Sequence, residues 1–410
     1  MQLSITKADR ILKGEITLPS SKSISNRVLI LNSLSYSPYD IDNLSDSDDT
    51  KVLKAVLTAN TNSFDIGHAG TAMRFLTAFL SKIVGEWTLT GSERMRQRPI
   101  AILVDALRKL GASIEYVENE GFPPIRIIGT ALKGGVIELD GSVSSQYISA
   151  LLMIAPTIQG GMTLRLTNQI TSKPYIELTL KLMKKFGVRH TWKMNEIRID
   201  EQVYRPVKYT VEADWSGASY WYSMAALSDE SDLLLNGLRL QSLQGDANQA
   251  EWFSSYFGVV SKQEGNNVRL TKINIPVPKV LELDFIENPD IAQTIAVLAV
   301  CKNIPFHFKG LATLKIKETD RILALQAELS KFGAKLLEPR NGELVWDGTI
   351  DPILLQNPPV IATYHDHRMA LAFAPAAMVY TKIIIDDPQV ISKSYPGYWN
   401  DLEKIGFMVE

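Results

Sequence analysis

The sequence has one cysteine, five histidines and almost no charge excess, since 43 basic and 45 acidic residues leave a formal net charge of −2 over 410 residues. A single cysteine excludes an intrachain disulfide. Cys301 lies in the apolar run IAVLAVC, so it reads as a core residue of a protein expected in a reducing compartment, the cytoplasm. Balanced charge without a basic tail or stripe argues against nucleic acid as a partner, and any anion has to be bound locally. The longest apolar stretches, such as MALAFAPAAMVY, are too short for a membrane span, and the opening MQLSITKADR lacks the apolar centre of a signal peptide. Neither GxxxxGK[ST] nor GxGxxG occurs, so a nucleotide cradle is not expected. His365 and His367 flank Asp366, but His68, His190 and His307 are scattered, and no metal or other cofactor is expected.

What the chain does have is a period. LRKLGASIEY, LMKKFGVRH, SSYFGVVSK, LSKFGAKLL and LEKIGFMVE each read as a helix end, a glycine and a strand start. Their glycines, Gly111, Gly187, Gly258, Gly333 and Gly406, differ in number by 76, 71, 75 and 73. Glycine after the last helical turn suits a left-handed C′ position, and the alternating residues that follow predict hairpin strands.

A second series interleaves with the first, small or polar clusters leading into apolar helices. Its members are SSKSISNRVLIL, HAGTAMRFLTAFL, SVSSQYISALLMIA, DWSGASYWYSMAAL, NPDIAQTIAVLAV and YHDHRMALAFAPAA. Thr71, Ser145, Ser216, Asp290 and Asp366 differ by 74, 71, 74 and 76, whereas Lys22 and Thr71 differ by only 49, so the first unit is shortened. A chain of this length predicts two domains. Three units each places the N-terminal domain at residues 20–214 and the C-terminal domain at 1–19 plus 215–410, with a site in the cleft between them. The apolar helices are hydrophobic nearly all round and are expected inside the domains, their N-termini forming an anion trap.

The cations sit where local electrostatics disfavours them. Lys22, Arg27, Arg74, Lys317, Arg321 and Arg368 fall at or in the first turn of an expected helix, the end that already carries positive partial charge. Arg98 and Lys393 add two more in loops. Rules broken together mark a site, and eight positive groups predict a heavily anionic guest. Ser144, Ser145, Gln146, Ser172 and Tyr175 supply neutral donors, and Gly70 permits close approach to the backbone. Asp290, Glu318 and Asp366 stand among the cations, where a carboxylate can stay ionised and accept a proton.

LPSSKSISNR, HAGTAMR, RMRQRPI, DGSVSSQY, SKPYIE, QGD, PD, IKETDR, YHDHRMA and the Lys393 segment occur in the order of the 5-enolpyruvylshikimate-3-phosphate synthase family, which the chain resembles over nearly its whole length. The resemblance implies an α/β fold, a two-lobed inside-out α/β barrel of six βαβαββ-type repeats, three per domain. It implies transfer of the carboxyvinyl group of phosphoenolpyruvate to the 5-hydroxyl of shikimate 3-phosphate, without cofactor, by a cytoplasmic monomer. Carried over by position, Lys22, Ser23, Arg27, Ser144, Ser145, Gln146, Ser172, Tyr175, Asp290, Thr313 and Lys317 would bind shikimate 3-phosphate. Lys22, Gly70, Arg98, Gln146, Arg321, His367, Arg368 and Lys393 would bind phosphoenolpyruvate. Asp290, Glu318 and Lys22 would carry the proton transfers.

Departures are His68, Thr313 and His365, which stand where the family commonly has asparagine. Ser23 after Lys22, and Cys301 inside an apolar run, separate the chain from the related transferases that act on UDP-N-acetylglucosamine. A non-catalytic anion binder would not need Asp290 and Glu318 beside its cations.

Overall fold

The computed structural model describes residues 2–410. It divides into two compact units. The first is the continuous segment Ser20–Val211, and the second joins the residues up to Pro19 with Glu212–Glu410. Asp214 belongs to the second unit, where its carboxylate caps the Trp215–Leu227 helix through the Gly217 N–H and its own N–H donates to Pro19 O.

Each unit is built around three buried helices. In the first these are Lys22–Leu34, Gly70–Leu80 and Ser145–Ile154, which pack on one another. Gly70–Leu80 buries every residue but Phe79, as a helix apolar on all sides must. In the second unit the Ala292–Cys301 helix, buried throughout, packs against both Trp215–Leu227 and His367–Phe373. Cys301 is buried in this core.

Among the described residues six open sheets, three per unit, flank these helices, and each contains one parallel strand pair. In the first unit Ser63–Asp65 runs parallel to Gly85–Thr90, which pairs antiparallel with Ile125–Gly129 of a hairpin. Lys133–Asp140 and Gln159–Thr167 repeat the arrangement with the hairpin Thr191–Lys193 and Glu196–Ile199. The third sheet keeps only the short parallel pair Ile41–Asp42 and Tyr209–Thr210, the structural form of the shortened first unit of the sequence.

The second unit has Ile11–Thr17 parallel to Glu230–Asn236, then Leu281–Asp284 parallel to Phe306–Lys309, then Val360–Ile361 parallel to Lys382–Asp386. Gln2–Thr6 lies between Lys382–Asp386 and Met408–Val409, so the beginning of the chain completes its last sheet. The hairpin expected at KLLEPRNGELVW is reduced to Leu344–Trp346 and the single bridge Leu337–Val345.

The five periodic glycines all have left-handed φ, from 68° at Gly258 to 96° at Gly111. Gly258 is the strictest of them, because a Cβ there would lie 2.2 Å from Ile273 O. No helix among the described residues is long and apolar enough to cross a membrane.

Candidate active site

In the first unit the Lys22–Leu34 helix opens without an acidic residue in its first turn. Ser21 caps it through the Ile24 N–H, and Lys22 Nζ lies 4.0 Å from Asp49 Oδ2. One turn on, Arg27 is buried, and every hydrogen-bond partner of its guanidinium is uncharged. Nε donates to Thr179 Oγ1 at 2.7 Å, Nη1 to Ser23 O at 2.9 Å, and Nη2 to Ser149 Oγ at 3.1 Å and Tyr175 O at 3.4 Å. The Phe75 ring lies 5.4 Å away, a cation–π arrangement. Burial pushes the Arg27 pKa down to about 10, with Tyr175 opposing the shift, so the charge persists at neutral pH without a carboxylate bound to it.

The Gly70–Leu80 helix has no side-chain cap, and Arg74 Nη1 donates back to Gly70 O at 3.1 Å. Arg98 lies over the Gly70 Cα face, close enough that a Cβ would be 2.6 Å from Nη1. Ser144 caps Ser145–Ile154 by accepting from the Gln146 N–H, while Gln146 Nε2 reaches Thr71 Oγ1 at 3.3 Å. This joins two of the helix starts singled out by sequence. Ser172 takes a left-handed conformation at φ 53° before Lys173–Lys185 and makes no side-chain capping bond. His68, at the position of an expected asparagine, is 2.9 Å from Ser92 Oγ through Nδ1.

The second unit gathers carboxylates and guanidinium groups. Arg321 opens the Arg321–Ser330 helix with a side chain only 2% exposed. Its Nε donates to Asp366 Oδ2 at 2.7 Å, Nη1 to Asp290 Oδ1 at 3.0 Å, and Nη2 to Glu318 Oε2 at 3.0 Å. Arg368 Nη2 donates to the other oxygen of Asp290 at 2.9 Å. Asp290 therefore bridges two guanidinium groups. Burial alone would raise its pKa, but Arg368, Lys317 and Arg321 outweigh burial and the neighbouring Glu318 and hold the carboxyl well below the usual range. Burial would lower the Arg321 pKa, but Asp366, Glu318 and Asp290 outweigh burial and the Arg368 charge and raise it.

This changes the expectation of eight cations awaiting an anion. Arg321 is already surrounded by three carboxylates, and Arg368 shares one of them. Arg27 of the first unit differs, since its hydrogen-bond partners are all uncharged.

Asp366 caps His367–Phe373 through the Arg368 N–H, and His367 is buried with Nδ1 3.7 Å from Asp366 Oδ1. Lys393 Nζ donates to His365 O at 2.6 Å. Lys317 ends the short helix Ala312–Ile316, which packs by Pro289–Ile291, the segment carrying Asp290. Thr313, in that short helix, has a buried Oγ1 with no hydrogen-bond partner among the described residues.

Sequence reasoning passed over the roles of Asp246 and Asn288. Asp246 accepts from Ser216 Oγ at 2.5 Å and from Asn288 Nδ2 at 3.0 Å, two residues from Asp290. Burial, and secondarily the Asp290 charge, raises its pKa. The available signal was QGD, a polar triplet whose Asp must be buried for its Ser and Asn partners to meet it. Among the described residues no group of three or more His, Cys, Asp and Glu is arranged to hold a metal ion.

The family model described as EPSP synthase (3-phosphoshikimate 1-carboxyvinyltransferase) matches residues 6–62 and 52–402. The 3-phosphoshikimate 1-carboxyvinyltransferase of Bacteroides fragilis is 54% identical over 400 residues, covering 97% of each chain. That of Vibrio cholerae is 36% identical over 439 residues, covering 96% of this chain and 97% of the relative. Among solved structures, EPSP synthase from Acinetobacter baumannii superimposes with a TM-score of 0.76 at 20% identity, covering 100% of this chain and 99% of the other. The enolpyruvyl transferase NikO from Streptomyces tendae gives 0.75 at 16% identity, covering 100% and 98%. At those identities the two structures speak for the mixed α/β fold alone. The sequence matches go further, and by them the chain belongs to the EPSP synthase (3-phosphoshikimate 1-carboxyvinyltransferase) family.

Proposed function

We propose that the polar residues of both units act on one pair of substrates in the reaction of this family. The chain performs that reaction, transfer of the carboxyvinyl group of phosphoenolpyruvate to the 5-hydroxyl of shikimate 3-phosphate with release of phosphate, a step of the shikimate pathway. Lys22, Ser23, Arg27, Ser144, Ser145, Gln146, Ser172, Tyr175, Asp290, Thr313 and Lys317 take shikimate 3-phosphate. Lys22, Gly70, Arg98, Gln146, Arg321, His367, Arg368 and Lys393 take phosphoenolpyruvate. Arg27 supports this assignment, since a buried cation bonded only to neutral groups gains from a phosphate or carboxylate partner.

The observation that carries the reading is the Asp290 carboxylate, gripped by Arg321 and Arg368 and held ionised by Lys317 as well. An ionised acceptor suits a substrate hydroxyl. Its basicity is low while both guanidinium groups hold it, so proton transfer to it as the 5-oxygen attacks requires the incoming anions to draw Arg368 away. Glu318, whose Oε2 accepts from Arg321, manages protonation at the enol methylene together with Lys22. Addition gives a tetrahedral intermediate, and elimination of phosphate completes the transfer.

The reading extends to six βαβαββ repeats, three to each unit, with helices inside and sheets outside as an inside-out barrel. The parallel strand pair in each sheet supports it. It also takes the enzyme to be cytoplasmic, monomeric and independent of cofactors. Phosphate release measured with each substrate alone and with both together tests it. Turnover should require both, whereas turnover with UDP-N-acetylglucosamine in place of shikimate 3-phosphate would reassign the chain to the related transferases.

A further inference from the structure

Two consecutive bulky residues before the Asp366 cap adopt a conformation that their side chains disfavour. Tyr364 and His365 have φ of 53° and 55°, and the Asp366 N–H donates to Thr363 O at 2.8 Å. That is a turn with left-handed conformation at both central residues, a pattern normally met by Asn-Gly or Gly-Gly. A tyrosine there is an outlier that persists only if its surroundings impose it.

Glu328 imposes it. Its side chain is 1% exposed in the last turns of Arg321–Ser330, the helix end at which a carboxylate is disfavoured. Oε1 accepts from Tyr364 Oη at 2.7 Å, while Oε2 accepts from the Ala362 N–H at 3.0 Å and from Lys331 Nζ at 2.6 Å. Lys331 also donates to Val360 O at 2.7 Å. Burial and Glu328 both push the Tyr364 phenol up, which keeps its proton on as the donor. One carboxylate thus fixes the strand that enters the turn and the side chain at its apex.

The other side of the turn faces the residues assigned to phosphoenolpyruvate. His365 O receives Lys393 Nζ at 2.6 Å, and His365 Nδ1 lies 3.2 Å from Asp387 Oδ2, at the start of the short helix Pro388–Lys393. Asp366 then meets Arg321 Nε and the Arg368 N–H. We propose that Glu328 and Tyr364 are positioning residues, which grip the Thr363–Asp366 turn and thereby set where Lys393 is held and where Asp366 meets Arg321 and Arg368. The inference rests on the assignment of Lys393 and Arg368 to phosphoenolpyruvate. Side chains that hold ligand-contacting groups to within a fraction of an ångström act in this way without touching the substrate.

The test compares wild-type enzyme with Tyr364→Phe, which removes one oxygen and keeps the ring, and with Glu328→Gln. Lys393 reactivity is read by reductive methylation with formaldehyde and borohydride, quantified by mass spectrometry. Release of the turn should raise methylation at Lys393 at least threefold in Tyr364→Phe, with other lysines unchanged. The KM for phosphoenolpyruvate should rise at least fivefold and that for shikimate 3-phosphate less than twofold. In a Lys393→Gln background, Tyr364→Phe should add no further rise. Unchanged Lys393 methylation in folded Tyr364→Phe overturns the proposal, as does a lower Tm with both KM values moving together. Should Glu328→Gln fail to fold, Tyr364→Phe decides the matter alone. Absence of wild-type turnover would remove the functional reading, while the methylation result would still judge the turn.

Discussion

Gly70 turns its bare Cα toward the Arg98 guanidinium, so closely that a Cβ would stand 2.6 Å from Nη1 and 3.1 Å from Nη2. The atoms in the way are the far end of a flexible side chain, so an added methyl moves Arg98 and leaves the helix intact. Alanine also has the better helix propensity, by up to about 1 kcal/mol. Gly70→Ala should therefore melt within a few degrees of wild type while raising the KM for phosphoenolpyruvate. Glyphosate, an inhibitor of this family, should compete with phosphoenolpyruvate and inhibit Gly70→Ala less strongly than wild type. Steady-state inhibition of both proteins checks this, and a glyphosate-insensitive wild type would contradict it.

Arg321 satisfies Asp366, Asp290 and Glu318 at once through the planar spread of its donors. Lysine keeps the charge but offers a single point and cannot span three carboxylates. Arg321→Lys should leave at least one buried carboxylate poorly paired and cost about 3 kcal/mol, the scale of a broken buried ion pair. Urea denaturation should show the loss, and kcat should fall at least a hundredfold because Asp290 loses the grip of Arg321. Full kcat in a destabilised Arg321→Lys would mean that the clamp holds the fold only.

Asp246 and Asp290 titrate in opposite senses. Asp246 has its folded pKa raised above the ordinary 3.8, so its contribution to stability is complete below that value and is lost as pH rises through the folded pKa. Asp290 has its pKa lowered, so its contribution is present above 3.8 and is lost at lower pH. Between neutral pH and pH 3.8 only Asp246 of the pair changes charge. Wild type should gain Tm relative to Asp246→Asn as pH falls across that window. A constant or reversed difference in thermal melts would show that the buried carboxyl is not strained by ionisation.

The period was legible because left-handed φ after a helix demands glycine, and all five glycines sit in that conformation. The helix starts were legible for a similar reason, since Lys22, Arg321 and Arg368 break a local electrostatic rule visible in a few residues. What pairs with each cation was hidden by distance along the chain. Nothing near Arg321 in sequence announces Asp366, and nothing near Arg27 announces Thr179 or Ser149. The two-residue strands Ile41–Asp42 and Tyr209–Thr210 are too short for any periodic signal, so the sheet of the shortened repeat could not be read in advance. Nothing near Glu328 in sequence announces Tyr364 either, and only tertiary packing makes the two partners.

Arg27 differs from Arg321 in having no carboxylate among its partners, and the groups around it can do without it. Thr179 Oγ1 already donates to Ser149 Oγ or to Tyr175 O at 2.9 Å, so both hydroxyls remain hydrogen-bonded if the guanidinium is removed. A methionine fills much of the arginine stem, and exchanging a buried unpaired charge for an apolar side chain is near neutral or stabilising. Arg27→Met should therefore keep wild-type stability to within about 1 kcal/mol. Ligand binding should tell the opposite story. Shikimate 3-phosphate at a hundred times its Kd should stabilise wild type by about 2.7 kcal/mol, visible as a thermal shift. At the same concentration the shift in Arg27→Met should fall by about half, which corresponds to a tenfold loss of affinity. An undiminished shift would remove Arg27 from the binding set and leave its uncompensated charge without an explanation.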